Sequence, residues 1–90
     1  MLHLISTSPF QNSAIPECRK IAQDGDVLLL LGDAVYAALT EEKLFSGLQI
    51  FALAEHVAAR GIAAPAWITC IDYNQMVELT CQHHPVQTWC

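Results

Sequence analysis

The chain has 90 residues, a formal net charge of −5, 53% hydrophobic residues and 14% charged residues. This length supports one domain at most, and Arg19, Lys20, Lys43 and Arg60 are too few cations to displace counterions from nucleic acid. The longest aliphatic run, Val27 to Leu31, falls far short of the roughly 20 residues a bilayer requires.

The start, Met1-Leu2-His3, lacks a basic stretch followed by a long apolar one, so a cytoplasmic location without membrane attachment is expected. The low charge predicts exposed apolar patches and hence association with other subunits.

Leu2 to Ser6 is short and mostly apolar, which suits a buried strand closed by Ser8-Pro9. Asn12 and Ser13 are good caps, Pro16 fits a first helical turn, and Ile15, Cys18, Ile21 and Ala22 recur at helical spacing. A helix from about Ser13 to Gln23 follows. Asp24-Gly25-Asp26 reads as a turn into Val27–Leu31, whose unbroken apolar run predicts a central strand covered on both faces.

Gly32-Asp33 ends that strand, and Asp33 is placed to cap a short helix from Ala34 to Leu39. Thr40 to Gly47 is polar and loop-like, with room for another helical turn. Leu48–Leu53 predicts a third strand, followed by a helix from Ala54 to Arg60 with Gly61 at its C-terminal cap. Trp67–Ile71 predicts a fourth strand. Asp72 is placed to cap a helix carrying Met76, Val77, Leu79 and Thr80, and Val86–Trp89 fits a short last strand. Strands alternating with helices predict an α/β fold with a mostly parallel sheet of four or five strands and helices on both faces.

Cys18 is the best candidate for thiol chemistry. It lies in the first turns of its predicted helix, beside Arg19 and Lys20, where positive potential favours a thiolate. It also shares the apolar stripe of Ile15 and Ala22, so core packing competes with reactivity. Cys70, inside a predicted buried strand, is expected to pack in the core. Cys81 sits near a helix C-terminus, where the dipole disfavours a thiolate. Cys81, His83, His84 and Cys90 do not have a zinc spacing, so no metal is expected.

His3 is expected to be a satisfied structural histidine, and His56, beside Glu55, to lie on a solvated helix face. Asp33 and Asp72 both follow strands, where α/β folds place ligands, but helix capping explains each equally well. No phosphate loop or nucleophile–base pair is evident, so a small-molecule enzyme has little support. Trp89 must either pack back onto its own domain or enter a partner.

The linked motifs Leu2-His3, Gly25-Asp26 with Leu28 to Leu31, Gly32-Asp33-Ala34-Val35-Tyr36-Ala37-Ala38, Ala59-Arg60-Gly61, Ile71-Asp72-Tyr73 and Trp89 resemble the TusB/DsrH family across essentially the whole chain. Ala34 departs from the glycine frequent in members. The resemblance implies one small DsrE-like domain over residues 1–90. It also implies a place in a heterohexamer with TusC/DsrF-like and TusD/DsrE-like subunits.

Such a complex is similar to TusBCD, which takes persulfide sulfur from TusA and hands it to TusE for 2-thiolation of the tRNA wobble uridine. The related DsrEFH complex serves sulfur oxidation and passes sulfur to DsrC. No cofactor and no direct contact with nucleic acid are implied. The sulfur-bearing cysteine of these complexes belongs to the TusD/DsrE-type subunit, at the start of the helix after the third strand. The matching place here, Leu53-Ala54, holds no cysteine, which implies an auxiliary subunit. Members of the DsrH type can carry a cysteine in the first helix, and Cys18 matches that position as a candidate sulfur-handling thiol.

Overall fold

A computed structural model describes residues 1–6, 18, 20–40, 45, 47–83 and 85–89. Five strands form one all-parallel sheet: β1 (Leu2–Ile5), β2 (Val27–Leu30), β3 (Gln49–Leu53), β4 (Ile68–Ile71) and β5 (Val86–Trp89). Their spatial order is β4-β3-β2-β1-β5. The aliphatic Val27–Leu30 run is buried at every position because β2 has a neighbour on each side and a covered face above and below. The fold class therefore agrees with the pattern of predicted elements.

The connections explain where the layers lie. β1 to β4 step across the sheet in one direction, whereas the last connection returns to the far side of β1. Right-handed crossovers then put the last helix on the opposite face from the others. Side-chain packing agrees. On one face, Ile5, Leu28, Leu30, Ile50 and Ala52 pack with helical residues including Val35 and Val57. On the other, Leu2, Val27, Leu29 and Ile71 pack with Leu79.

The predicted helix after β2 is a 3-10 helix, Gly32–Leu39, and starts two residues earlier than expected. Ala34 and Ala37, both fully buried, lie three residues apart and fall on one side of a three-residue turn. Their small side chains allow the segment to lie close to the sheet. Asp33 is not its cap: the cap position is Leu31, and no side-chain hydrogen bond closes the start. Asp33 turns instead towards Arg60, whose guanidinium reaches it from the end of the helix after β3.

Helix α1 (Ala54–Ala59) stops one residue short of the predicted Arg60, which takes the C-cap, and Gly61 closes it as the sequence predicts. Gly61 has φ +63, its N–H donates to the Ala58 carbonyl at 3.1 Å, and the Ile62 N–H donates to the Val57 carbonyl at 3.2 Å. This is the paired bonding of a Schellman motif, with Ile62 packed against the same core cluster as Val57.

Helix α2 (Tyr73–Gln82) starts at the predicted cap. The Gln75 N–H donates to Asp72 Oδ1 at 2.8 Å, and the Asp72 N–H donates to Gln75 Oε1 at 2.9 Å. The two bonds form a reciprocal capping box.

Within the predicted Ser13–Gln23 helix, Cys18, Lys20 and Ile21 are helical, and Asn12, Ser13, Ile15 and Pro16 lie outside the described residues. Residues 41–44 of the predicted loop lie outside them too. Phe45 is buried and stacks on Trp67 with ring centroids 5.4 Å apart.

Candidate functional site at the carboxyl edge of the sheet

β2, β3 and β4 each release a polar group where they end. β2 leads into Gly32 and Asp33, β3 into α1 with His56 and Arg60, and β4 into α2 with Asp72 and Tyr73. The carboxyl edge of a parallel sheet is where open α/β folds bind ligands.

Gly32, at φ +52, adopts a backbone conformation that a side chain would strain. Its N–H donates to His56 Nδ1 at 2.7 Å. That bond leaves the proton of a neutral imidazole on Nε2, which faces the Tyr73 hydroxyl at 3.4 Å. The two rings meet edge to face with centroids 6.3 Å apart. Because His56 supplies the proton of that contact, the Tyr73 hydroxyl is left to donate outwards.

Arg60 closes the other side. Its Nε and NH2 groups both reach Asp33 Oδ1, at 3.1 and 3.0 Å, and its NH1 donates to the His56 carbonyl at 3.2 Å. The guanidinium therefore joins the start of the 3-10 helix to α1. Asp33 is half exposed, so the ion pair itself contributes little more than geometry. Of the two strand-end aspartates, Asp72 caps a helix and Asp33 joins this cluster.

His56 departs from its expected place on a solvated face: it is half-buried and both ring nitrogens have partners. A clue was present in the sequence. His56 and Arg60 are four residues apart on one helix face, directly after a strand, and Gly32-Asp33 follows the neighbouring strand.

Among the described residues no thiol belongs to this cluster. Cys18, the candidate sulfur-handling residue, has no exposed surface and packs with Ile5, Leu28 and Val35 on one face of the sheet. Its carbonyl accepts the Ala22 N–H at 2.8 Å. Cys70 is exposed, against its expected core position, because β4 has only β3 beside it among the described residues. Cys81 is exposed on α2. His84 and Cys90 lie outside the described residues, and among the described residues no three His, Cys, Asp or Glu side chains converge as a metal site would require. No helix among the described residues is long and apolar enough to cross a membrane.

His3 is the satisfied histidine the strand position predicts. It is fully buried, its Nε2 lies 3.1 Å from Asp26 Oδ2, and its Nδ1 accepts the Trp89 indole N–H at 3.1 Å. Trp89 therefore packs back onto its own sheet, in register with Ile5.

Comparison with known proteins decides the kinship. The family model described as DsrH like protein matches residues 7–86. The chain belongs to the TusB/DsrH family. Protein TusB of Serratia proteamaculans is similar, with 36% identity over 96 residues covering 99% of this chain and all of the relative. Protein TusB of Pectobacterium parmentieri and of Escherichia coli K12 each show 33% identity over the same coverage. Within this TusB/DsrH chain, Leu53, which stands at the start of the helix after the third strand, is buried and serves as the N-terminal cap of α1.

Proposed function

We propose that this chain is a subunit of a sulfur-relay complex that passes persulfide sulfur between carrier proteins. Whole-length kinship with TusB proteins is the observation that carries the reading. The low charge fits a chain that buries surface against other subunits. Exposed Tyr73, Val77 and Leu39 supply apolar contact area for this purpose.

The partners are TusC/DsrF-like and TusD/DsrE-like subunits in a cytoplasmic heterohexamer. Carriers resembling TusA and TusE/DsrC are served through the complex. The pathway we assign from the TusB resemblance is 2-thiolation of the tRNA wobble uridine, with DsrH-type sulfur oxidation as the alternative. One small domain spanning residues 1–90 carries this role.

Within the complex, Cys18 is the thiol in question. Exchange with a persulfide needs an accessible thiolate. Full burial therefore supports packing over sulfur transfer and favours a scaffolding role.

The test is intact mass of the unmodified chain and its Cys18→Ser variant, each coexpressed with both partner subunits and exposed to a persulfide donor. The scaffolding reading expects sulfur on the TusD-like partner alone and an unchanged assembly. A sulfur-sized gain on this chain that disappears in Cys18→Ser would make Cys18 a relay thiol. Failure to assemble with either partner would remove the sulfur-relay reading itself. Loss of 2-thiouridine on deletion of the gene, restored by either version, would support the tRNA pathway.

A further inference from the structure

We propose that the hydrogen bond between His3 and Trp89 is an acid-sensitive latch that holds the edge strand β5 on the sheet. Three observations carry it. The first is the polarity of the bond. The Trp89 indole N–H can only donate, so His3 Nδ1 must present its lone pair, and the imidazole proton resides on Nε2 towards Asp26. A charged imidazole carries a proton on both nitrogens. Adding a proton from solvent to Nδ1 would set two N–H donors against each other at 3.1 Å. Charging His3 and seating Trp89 are therefore mutually exclusive.

The second observation is the counterion. The Gln23 backbone N–H, with help from His3 and the Met1 α-amino group, holds the Asp26 carboxyl down to about 2. An anion thus stays at Nε2, 3.1 Å away, ready to pair with the imidazolium. Among the described residues, Asp26 and, through it, the Met1 α-amino group are the charged groups at His3. Leu28 and Gln87, its register neighbours on β2 and β5, carry no charge. Cys18 is a further titratable side chain in the cluster against which Trp89 packs.

The third observation is the strand. β5 has four residues and, among the described residues, only β1 beside it, and Val86, Gln87 and Thr88 are exposed. Besides the His3 bond, the described contacts that hold it are its backbone ladder to β1 and the apolar packing of Trp89. Opening would uncover the backbone edge of β1 and the apolar surface beside Ile5.

Acidification drives the device, because a proton on Nδ1 removes the acceptor of the Trp89 indole N–H, and the experiment scans from about pH 8 to about pH 5. One linked proton lowers the seating constant by up to about tenfold per pH unit. The decisive measurement is the nitrogen resonances of His3 in the unmodified chain, followed with the Trp89 indole N–H and β5 amide exchange. We expect an unprotonated Nδ1 at the upper pH. As Nδ1 gains its proton, the indole signal should shift and β5 protection should fall while β2 and β3 stay protected. A Trp67→Phe chain should show Trp89 emission moving to the red over the same range, and a further His3→Gln change should abolish the shift. The proposal is overturned by a proton on Nδ1 at the upper pH, by titration that leaves β5 and Trp89 unchanged, or by loss of the whole fold before any local change.

Discussion

Asp26 gathers three hydrogen bonds on one carboxylate. Its carboxylate receives the Gln23 N–H at 3.1 Å, the His3 Nε2–H at 3.1 Å and the Met1 α-amino group at 3.1 Å. These bonds lower its pKa from 3.8 to about 2, so they stabilise the fold fully above the ordinary value and are lost as the pH falls through about 2. Asp26→Asn should therefore cost about 1–2 kcal/mol near neutral pH, and the difference from the unmodified chain should shrink as the pH falls below 3.8 and be gone only below about 2. Urea unfolding across that range checks both the magnitude and the sign. His56 gives a second residue-scale test. Removing its ring strands the Gly32 N–H, so His56→Ala should cost about 1–2 kcal/mol in urea unfolding. A cost near zero would mean that water replaces Nδ1 without penalty. Neither site was fully legible in the sequence. A buried histidine on a strand needs partners, but nothing in Leu2-His3 says that they lie 23 and 86 residues away. His56 was missed because a helix face beside Glu55 reads as solvated until the neighbouring strand end is placed over it.

Elements were easier to read than sites, and the reason is local chemistry. Asp72 with Gln75 caps α2, and Gly61 ends α1, because each signal acts within a few residues of itself. Gly61→Ala forces a Cβ into φ +63 with no other atom crowding it, so the cost should be backbone strain alone, about 1 kcal/mol. Asp72→Ala should cost a similar amount, about 1 kcal/mol, by loss of the cap. Both are read as midpoint shifts with unchanged denaturant slope. Asp33 shows where local reading stops. Its position after β2 fits a cap as well as Asp72 does, but Arg60, which competes for it, comes from a different element. The 3-10 geometry of Gly32–Leu39 was equally hidden, because it depends on how closely Ala34 and Ala37 approach the sheet. The core strand β2 was legible from composition alone. The exposure of Cys70 was not, since Trp67–Ile71 reads as a buried strand until the strand order leaves β4 at an edge.

The strand order sets how accessibility is distributed over the whole molecule. Among the described residues β1, β2 and β3 are flanked on both sides, whereas β4 and β5 each have a strand on one side alone. Thiol reactivity should follow the same division. Cys70 on β4 and Cys81 on α2 are exposed, whereas Cys18 is sealed between the sheet and its helical cover. A disulfide reagent added to the native chain should therefore modify Cys70 and Cys81 rapidly. Cys18 should react only through opening of the apolar cluster around Ile5 and Leu28, with a rate that falls as stability rises. Peptide mass mapping after a short pulse separates the three. The comparison that matters most is the same pulse on the isolated chain and on its assembly with partner subunits. If the assembly only scaffolds sulfur transfer elsewhere, Cys18 stays protected in both, while partner contacts shield any exposed thiol they cover. If assembly instead raises the reactivity of Cys18, binding must open the core face on which it packs. A buried cysteine would then have become a relay thiol through its partners, and the scaffolding role would be lost.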